Sequence, residues 1–277
     1  MAERTAREQL DRVRERFTRT AQQFASFSLS KRSREAEELL ALAAPRGGEL
    51  AFDLACGPGT FTCAFAPRVR RIVGLDLTAA LMEQGRAAAR DAGLGNVEFA
   101  LGDANALPFA GASFDLATCA YGLHHFAAPE TALRELGRVV RRGGRLALAD
   151  IFVPADSAVA AANNHIERVR DASHARTLSI GELRAMVEAA GFRVQEQTIS
   201  ERLRQLDDWL RIAGWAPSDA AYAETRRLMA ASISSTPGVG DTAGFRARWS
   251  DAAISTGERE IEFVQVTLLI VADKSSY

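Results

Sequence analysis

The sequence predicts a doubly wound α/β fold, and three observations carry that expectation. From about residue 50 onward, short apolar runs alternate with segments of helical periodicity. Acids stand at the ends of several of those runs. The stretch "DLACGPGTF", residues 53–61, then sets a glycine-rich turn between the first strand and its helix. Such alternation gives a parallel sheet with helices on both faces, whose ligands bind beyond the carboxyl ends of the strands.

Ahead of the sheet, Leu10, Val13, Phe17, Ala21 and Phe24 recur at helical spacing and mark one amphipathic helix. "FASFSLSKR" breaks that pattern, and a second helix, "SREAEELLALAA", ends at Pro45 and Gly47-Gly48. "ELAFDLA" is strand 1, and "GTFTCAFAP" opens its helix. "RIVGLDL" is strand 2, followed by a helix from Thr78 to about Ala92 that Gly93 stops. "VEFALGD" and "FDLATCAY" are strands 3 and 4. "PETALRELGRVVRRGG" is a helix with proline in its first turn and glycine at its end, and "RLALADIFV" is strand 5.

After strand 5, "PADSAVAAANNHIERVRDASHART" reads as a helical insertion with a loop. Ser179 and Glu182 form a capping-box pattern for the next helix, which Gly191 ends. "FRVQEQTIS" is strand 6. Residues 203–245 read as helical around Trp209, Trp215 and Tyr222 and loosen at "STPGVGDTAG", before a long last strand, "EIEFVQVTLLIVAD". The chain divides into an N-terminal helical extension, 1–44, and one domain, 45–277, with insertions at about 153–178 and 203–245.

Composition narrows the function. A net charge of −1 gives no global field for nucleic acid or an anionic membrane. The start "MAERTAREQLDRVRERF" has no apolar core of a signal peptide, and no apolar run approaches a membrane span. Cys56, Cys63 and Cys119 show no ligand-type spacing, and the adjacent His124 and His125 are expected to diverge, so no metal site is expected. A reduced, cytoplasmic protein is the expectation. Lys31 and Lys274 are the only lysines among many arginines, which points to the codon usage of a GC-rich bacterium.

Asp53 lies in strand 1, Asp76 closes strand 2 and Asp103 closes strand 3, so one crevice gathers three carboxylates beside Gly57 and Gly59. A dinucleotide cofactor wants a third glycine after the turn, where Thr62 stands. Acids for ribose and adenine, with bare backbone for an amino-acid end and no pyrophosphate cradle, describe S-adenosylmethionine.

Four ordered stretches, "FDLACGPGT", "VGLDLT", "GDANALPF" and "FDLATCAYGLHHF", are similar to those of class I S-adenosylmethionine-dependent methyltransferases. Within that family the chain resembles the ubiquinone/menaquinone C-methyltransferase group, over about residues 50–144. The resemblance implies a Rossmann-like, seven-stranded sheet whose last strand runs antiparallel beside strand 5. It further implies that the turn with Asp53, Ala55, Cys56, Gly57, Gly59 and Thr60 holds the methionine end of the cofactor. Asp76, with Leu77 and Leu81, would hold ribose, and Asp103, Ala104 and Asn105 adenine. Ala120, after strand 4, would face the cofactor, with His125 close by. Ala55 stands where many relatives have the first glycine.

Methyl transfer from a sulfonium asks the protein mainly to align the partners and exclude water, and needs a base only where the nucleophile must lose a proton. His124 and His125 either supply that base or orient the substrate, or else they cap the loop. Tyr121 lines the same place or packs beneath it. In the insertion, Arg170 is placed to bind an anionic group and His174 to act as an alternative base, unless both belong to a salt-bridged helix end. Phe17, Phe24 and Phe27 are candidates for a lid: a core stripe explains the first two equally well, and Phe27, outside that periodicity, is the better candidate. Trp209 and Trp215 either cap the substrate or pack the insertion onto the sheet.

The function expected is methylation of a small organic molecule at carbon, oxygen or nitrogen, by a monomer or homodimer with no nucleic-acid partner. The alternative is a protein of the same fold that binds the cofactor without methylating, as a cyclisation catalyst or a binding module.

Overall fold

The computed structural model describes residues 2–234, 245–250 and 260–275. Three helices precede the sheet: α1 (Ala2–Arg19), α2 (Ala21–Lys31) and α3 (Ser33–Ala43). The sheet region follows as β1 (Leu50–Leu54), α4 (Thr60–Phe65), β2 (Arg71–Asp76), α5 (Ala79–Asp91), β3 (Val97–Leu101) and β4 (Phe114–Ala120). Then come α6 (Pro129–Val139), β5 (Val140–Ile151), α7 (Ser157–Arg170), α8 (Ile180–Ala189) and β6 (Phe192–Gln205). The chain continues through α9 (Leu206–Ile212), α10 (Ala220–Ser234), β7 (Phe245–Trp249) and β8 (Ile261–Lys274).

The strand order is β3-β2-β1-β4-β5-β8-β6, with β7 paired to β8 off that path. The first five strands are parallel, and β8 is antiparallel to both β5 and β6. Burial on both faces explains why β1 and β4 read as nearly continuous apolar runs rather than alternating ones. One face carries Phe52, Leu54 and Leu148 against Leu133 and Leu136 of α6 and Val187 of α8. The other carries Ala51, Ile72 and Leu116 against Leu39 of α3 and Phe61 and Phe65 of α4.

The doubly wound fold with an antiparallel last strand matches the expectation from sequence, and four details differ. "FASFSLSKR" is helical through Lys31, because the face α2 buries is made of small residues, Ala21, Ala25 and Ser28, whose helical spacing gives no strong apolar signal. β6 extends five residues beyond "FRVQEQTIS", to Gln205. The helix after β4 ends at Val139, and "VRRGG" begins β5 instead of completing the helix.

The sheet also has eight strands rather than seven. β6 covers one edge of β8 from Glu262 to Lys274, while β5 reaches only Thr267–Asp273 on the other. β7 fills the remainder of that second edge, pairing with Ile261–Gln265, so its backbone groups are not left open. Ser179 and Glu182 form the expected capping box at α8. The stretch "STPGVGDTAG" lies outside the described residues.

Candidate active site

A cavity opens beyond the carboxyl ends of β1, β2 and β4, with ≈ 1060 Å³ of empty space counted to its mouth. Its floor is the turn after β1. Ala55 and Gly57 take positive φ angles of 55° and 54°, so the chain reverses sharply and brings bare backbone to the cavity wall. Gly59, at φ 78°, is required for a different reason: a Cβ there would stand 2.9 Å from the Phe99 ring. It packs the turn against α5 and β3 and does not line the cavity.

Asp76 fixes this turn to the end of β2. One of its carboxylate oxygens accepts the Gly57 N–H at 2.9 Å and the other the Thr78 N–H at 2.8 Å. Burial raises the Asp76 carboxyl above its ordinary value, and these backbone hydrogen bonds oppose the rise. Each oxygen keeps a lone pair for a ligand hydroxyl. Asp103 accepts the backbone and side-chain N–H groups of Asn105 at 2.9 and 2.8 Å, which folds the loop after β3 into the cavity.

Of the residues the sequence assigns to a cofactor, Ala55, Cys56, Gly57, Thr60, Asp76, Leu77, Leu81, Asp103, Ala104, Asn105, Ala120 and His125 line this cavity together. Asp53 does not. It is 1% exposed behind the turn, where its carboxylate accepts the hydroxyls of Thr62 at 2.6 Å and Thr118 at 2.7 Å. Burial pushes its pKa up to about 6. Its role is to tie α4 and β4 to β1 beneath the turn, and Thr62 is spent in that tie.

The residues present suit S-adenosylmethionine on an observation independent of motif. Asn105 Oδ1 is buried without a hydrogen-bond partner, an acceptor waiting beside Asp103 and Ala104 for an N–H donor such as an adenine amino group.

A second chamber adjoins the first and shares Phe17, Phe24, Arg32, Tyr121 and His125 with it. Phe27 and Trp209 belong to its wall, with Glu167, Arg170 and Gln265. The sequence reading missed Arg32, Glu167 and Gln265; a lone polar residue on a helix or strand carries no local signal of what it faces.

The histidines correct one expectation. His124 and His125 do not diverge: their ring centroids are 4.2 Å apart, and His174 lies 5.6 Å from His124 and 6.5 Å from His125. They nonetheless form no metal-holding group among the described residues.

His124 Nδ1 is held by Asp150 at 2.6 Å. His174 is 3% exposed, its Nε2 pairs with Asn164 at 3.0 Å, and it lines neither chamber. His125 Nδ1 meets the Ser173 carbonyl at 3.0 Å, so Nδ1 carries the proton and Nε2 the lone pair. Burial, aided by His124, lowers the His125 pKa to about 3 and keeps the ring neutral at physiological pH.

Tyr121 sits at the end of β4 with φ 55°, an uncommon angle for a non-glycine residue, and its hydroxyl is engaged by Thr267 at 3.0 Å. Its ring faces the cavities, but its hydroxyl is not free to serve as a base. Arg170 is paired through Nε and Nη2 with Glu167 at 3.0 and 2.9 Å; the pair is buried, not a solvated helix end. Trp215 lines neither chamber and donates its indole N–H to the Arg170 carbonyl at 2.5 Å, which secures the insertion.

α1 closes the roof. Gln9 donates to the carbonyls of His125 at 3.0 Å and Ser173 at 2.6 Å, and Arg16 Nε lies 3.0 Å from Asp171. Burial alone would raise the Asp171 carboxyl, but Arg16 and Arg170 outweigh it and hold the group well below its ordinary range. The Phe17 ring meets His125 edge-on at 5.1 Å.

Comparison with known proteins gives this geometry a family. Residues 52–148 match the family model described as a methyltransferase domain. Over 203 residues the chain is 32% identical to the uncharacterized methyltransferase YcgJ of Bacillus subtilis, a span covering 73% of this chain and 80% of that one. The chain belongs to the class I S-adenosylmethionine-dependent methyltransferases. The solved YcgJ structure covers 87% of this methyltransferase and 98% of its own chain, with a TM-score of 0.77 at 29% identity. The demethylmenaquinone methyltransferase of Clavibacter sepedonicus is 40% identical over 111 residues, which is 40% of this methyltransferase and 44% of that one.

Proposed function

We propose that this methyltransferase methylates a small organic molecule held in the second chamber, at carbon, oxygen or nitrogen. The observation that carries the reading is the junction of the two cavities at a neutral, tautomer-fixed His125. Asp76 and the Gly57 turn, with Asp103, Ala104 and Asn105, would hold S-adenosylmethionine. When bound, that cofactor supplies an electrophilic methyl group on a sulfonium sulfur. Ala120 and Tyr121 lie at the end of β4, where the two cavities meet, and orient what lies between them.

His125 Nε2 accepts a hydrogen bond from the acceptor group and orients it, since a ring whose pKa burial lowers to about 3 is too weak a base to keep the proton. Burial keeps the ring neutral across the physiological range, and the Ser173 carbonyl holds it in the tautomer whose Nε2 is an acceptor. Phe17, Phe24 and Phe27, with Trp209, exclude water and favour a compact, largely apolar substrate. α1 and α2 act as the cover of the site, and the 1–44 extension and the 153–178 insertion are the parts that select the substrate.

Calorimetric titration with S-adenosylmethionine and S-adenosylhomocysteine, beside a nicotinamide dinucleotide, tests the cofactor half. Micromolar binding of the first two alone is the expected outcome; no binding by folded protein would end the proposal. Incubation with methyl-labelled cofactor and a panel of small acceptors tests the chemistry. Tight cofactor binding with no label transferred to any acceptor would favour a protein that uses the fold without methylating.

A further inference from the structure

The second chamber is lined by three guanidinium groups and two carboxylates, those of Arg16, Arg32, Arg170, Glu167 and Asp171. Two of the guanidiniums are matched, Arg16 with Asp171 at 3.0 Å and Arg170 with Glu167 at 2.9 Å. Arg32 has no ion pair among the described residues, and its Nε is buried without a hydrogen-bond partner. The carboxylates that act on it from a distance each hold another partner, although Glu35 Oε2 has no hydrogen bond. Glu35 faces Arg204 at 3.1 Å and Arg202 at 3.5 Å, and Asp150 holds His124.

Arg32 is instead held by aromatic faces. Its guanidinium carbon lies 3.7 Å from the Tyr121 ring centroid, 5.6 Å from that of Phe27 and 5.8 Å from that of Phe24. A guanidinium seated on rings keeps its in-plane N–H fork for an oxyanion, the geometry that matches a carboxylate. Tyr121 and Phe24 border both cavities, whereas Phe27 borders only the second. A half-buried cation left without an anion costs free energy that an incoming anion restores.

We infer that Arg32 anchors the carboxylate of a flat, apolar small acid bound in the second chamber. This inference rests on the methyltransferase reading and narrows its substrate class. The aromatic walls take the apolar body. Glu167, on the same chamber, repels an anion, so the carboxylate is directed to Arg32 and the acid has one favoured orientation. The other oxyanion within reach is the cofactor's own carboxylate, since Arg32 also borders the first cavity. The two occupants separate by experiment.

The test titrates the protein, saturated with S-adenosylhomocysteine, with 2-naphthoate and with the neutral 2-naphthamide. The wild type, Arg32→Met and the charge-keeping Arg32→Lys are compared, each checked for folding by circular dichroism. The expected result is at least tenfold tighter binding of naphthoate than of naphthamide, lost in Arg32→Met and partly kept in Arg32→Lys. S-Adenosylhomocysteine affinity should be unchanged in both variants. Equal affinity for the two probes in the wild type, or a preference that survives Arg32→Met, overturns the inference. So does an Arg32→Met variant that weakens S-adenosylhomocysteine but not 5′-methylthioadenosine, which lacks the carboxylate; Arg32 would then serve the cofactor. If the wild type does not bind S-adenosylhomocysteine at all, the cofactor reading fails first. The probe pair on the unloaded protein then judges Arg32 alone, by the same preference.

Discussion

The two cavities meet at five shared residues but are built on different physics. The first is backbone work. Three loops at neighbouring strand ends are folded by positive φ angles and by carboxylates that accept main-chain N–H groups, as Asp76 does from Gly57 and Thr78. The second is side-chain work: aromatic rings and ion pairs from α1, α2, α7 and α9 converge from parts of the chain far apart in sequence. The family model matches residues 52–148, which holds most of the first cavity and little of the second. On the proposed reading, a shared cofactor would be kept by local backbone geometry, while a particular substrate would be chosen by long-range packing that can vary without disturbing it.

Four changes would break or sharpen this contrast. The largest effect is expected at the roof of the second chamber. Arg16→Met leaves the buried Asp171 with only the more distant Arg170, at 4.0 Å, as a cationic partner, which should cost about 3 kcal/mol in urea unfolding. Replacing both partners by apolar residues should recover most of that loss. A single-variant loss below about 1 kcal/mol would mean the pair is solvated and the roof loosely held.

In the first cavity, Asp76→Ala removes both main-chain ties and the expected ribose contact. Cofactor binding by calorimetry should weaken by about 1.5–3 kcal/mol. Unchanged affinity in folded protein would remove Asp76 from the site.

His125 offers a sharper test through pH. Its folded pKa of about 3 lies below the ordinary 6.5, so between those values the unfolded chain binds the extra proton. Its contribution to stability therefore falls as pH drops below about 6.5, by about 1.4 kcal/mol per pH unit. Asp53 works in the opposite sense. Raised to about 6, it is protonated in the native state first, and adds stability as pH falls from there towards its ordinary 3.8. Comparing His125→Gln with wild type isolates the histidine: unfolding at pH 7, 6 and 5 should show a flatter acid limb in the variant. Parallel profiles would mean the ring is charged or exposed.

The smallest effect is expected where α2 meets the turn. Ser28→Ala removes a 2.8 Å hydroxyl pair with Thr60 and should cost about 1 kcal/mol, shifting cofactor affinity by no more than about fivefold. A larger shift would show that the cover, and not only the turn, sets cofactor affinity.

The same contrast explains what was legible. β1 to β5 declare themselves through short apolar runs, and the cofactor turn through consecutive residues whose types answer a backbone need. Asp53 misled because its partners, Thr62 and Thr118, give no sequence sign that their hydroxyls close on it. β7 was hidden because its reason to exist is the uncovered edge of β8, a tertiary fact. Arg32 was hidden because an unpaired guanidinium is visible only once every nearby carboxylate has been placed.

The strand order has a consequence for synthesis. Among the described strands β6 pairs only with β8, and β5 has no outer neighbour until β8 arrives, so a nascent chain that has reached α10 holds two strands still waiting for that partner. Thr267 and Gln265, which steady Tyr121 and line the second chamber, enter with that same strand. Until Ile261–Lys274 has emerged, the growing chain carries a formed cofactor turn beside an unfinished, adhesive sheet. That interval, rather than the finished fold, is where a chaperone would find work.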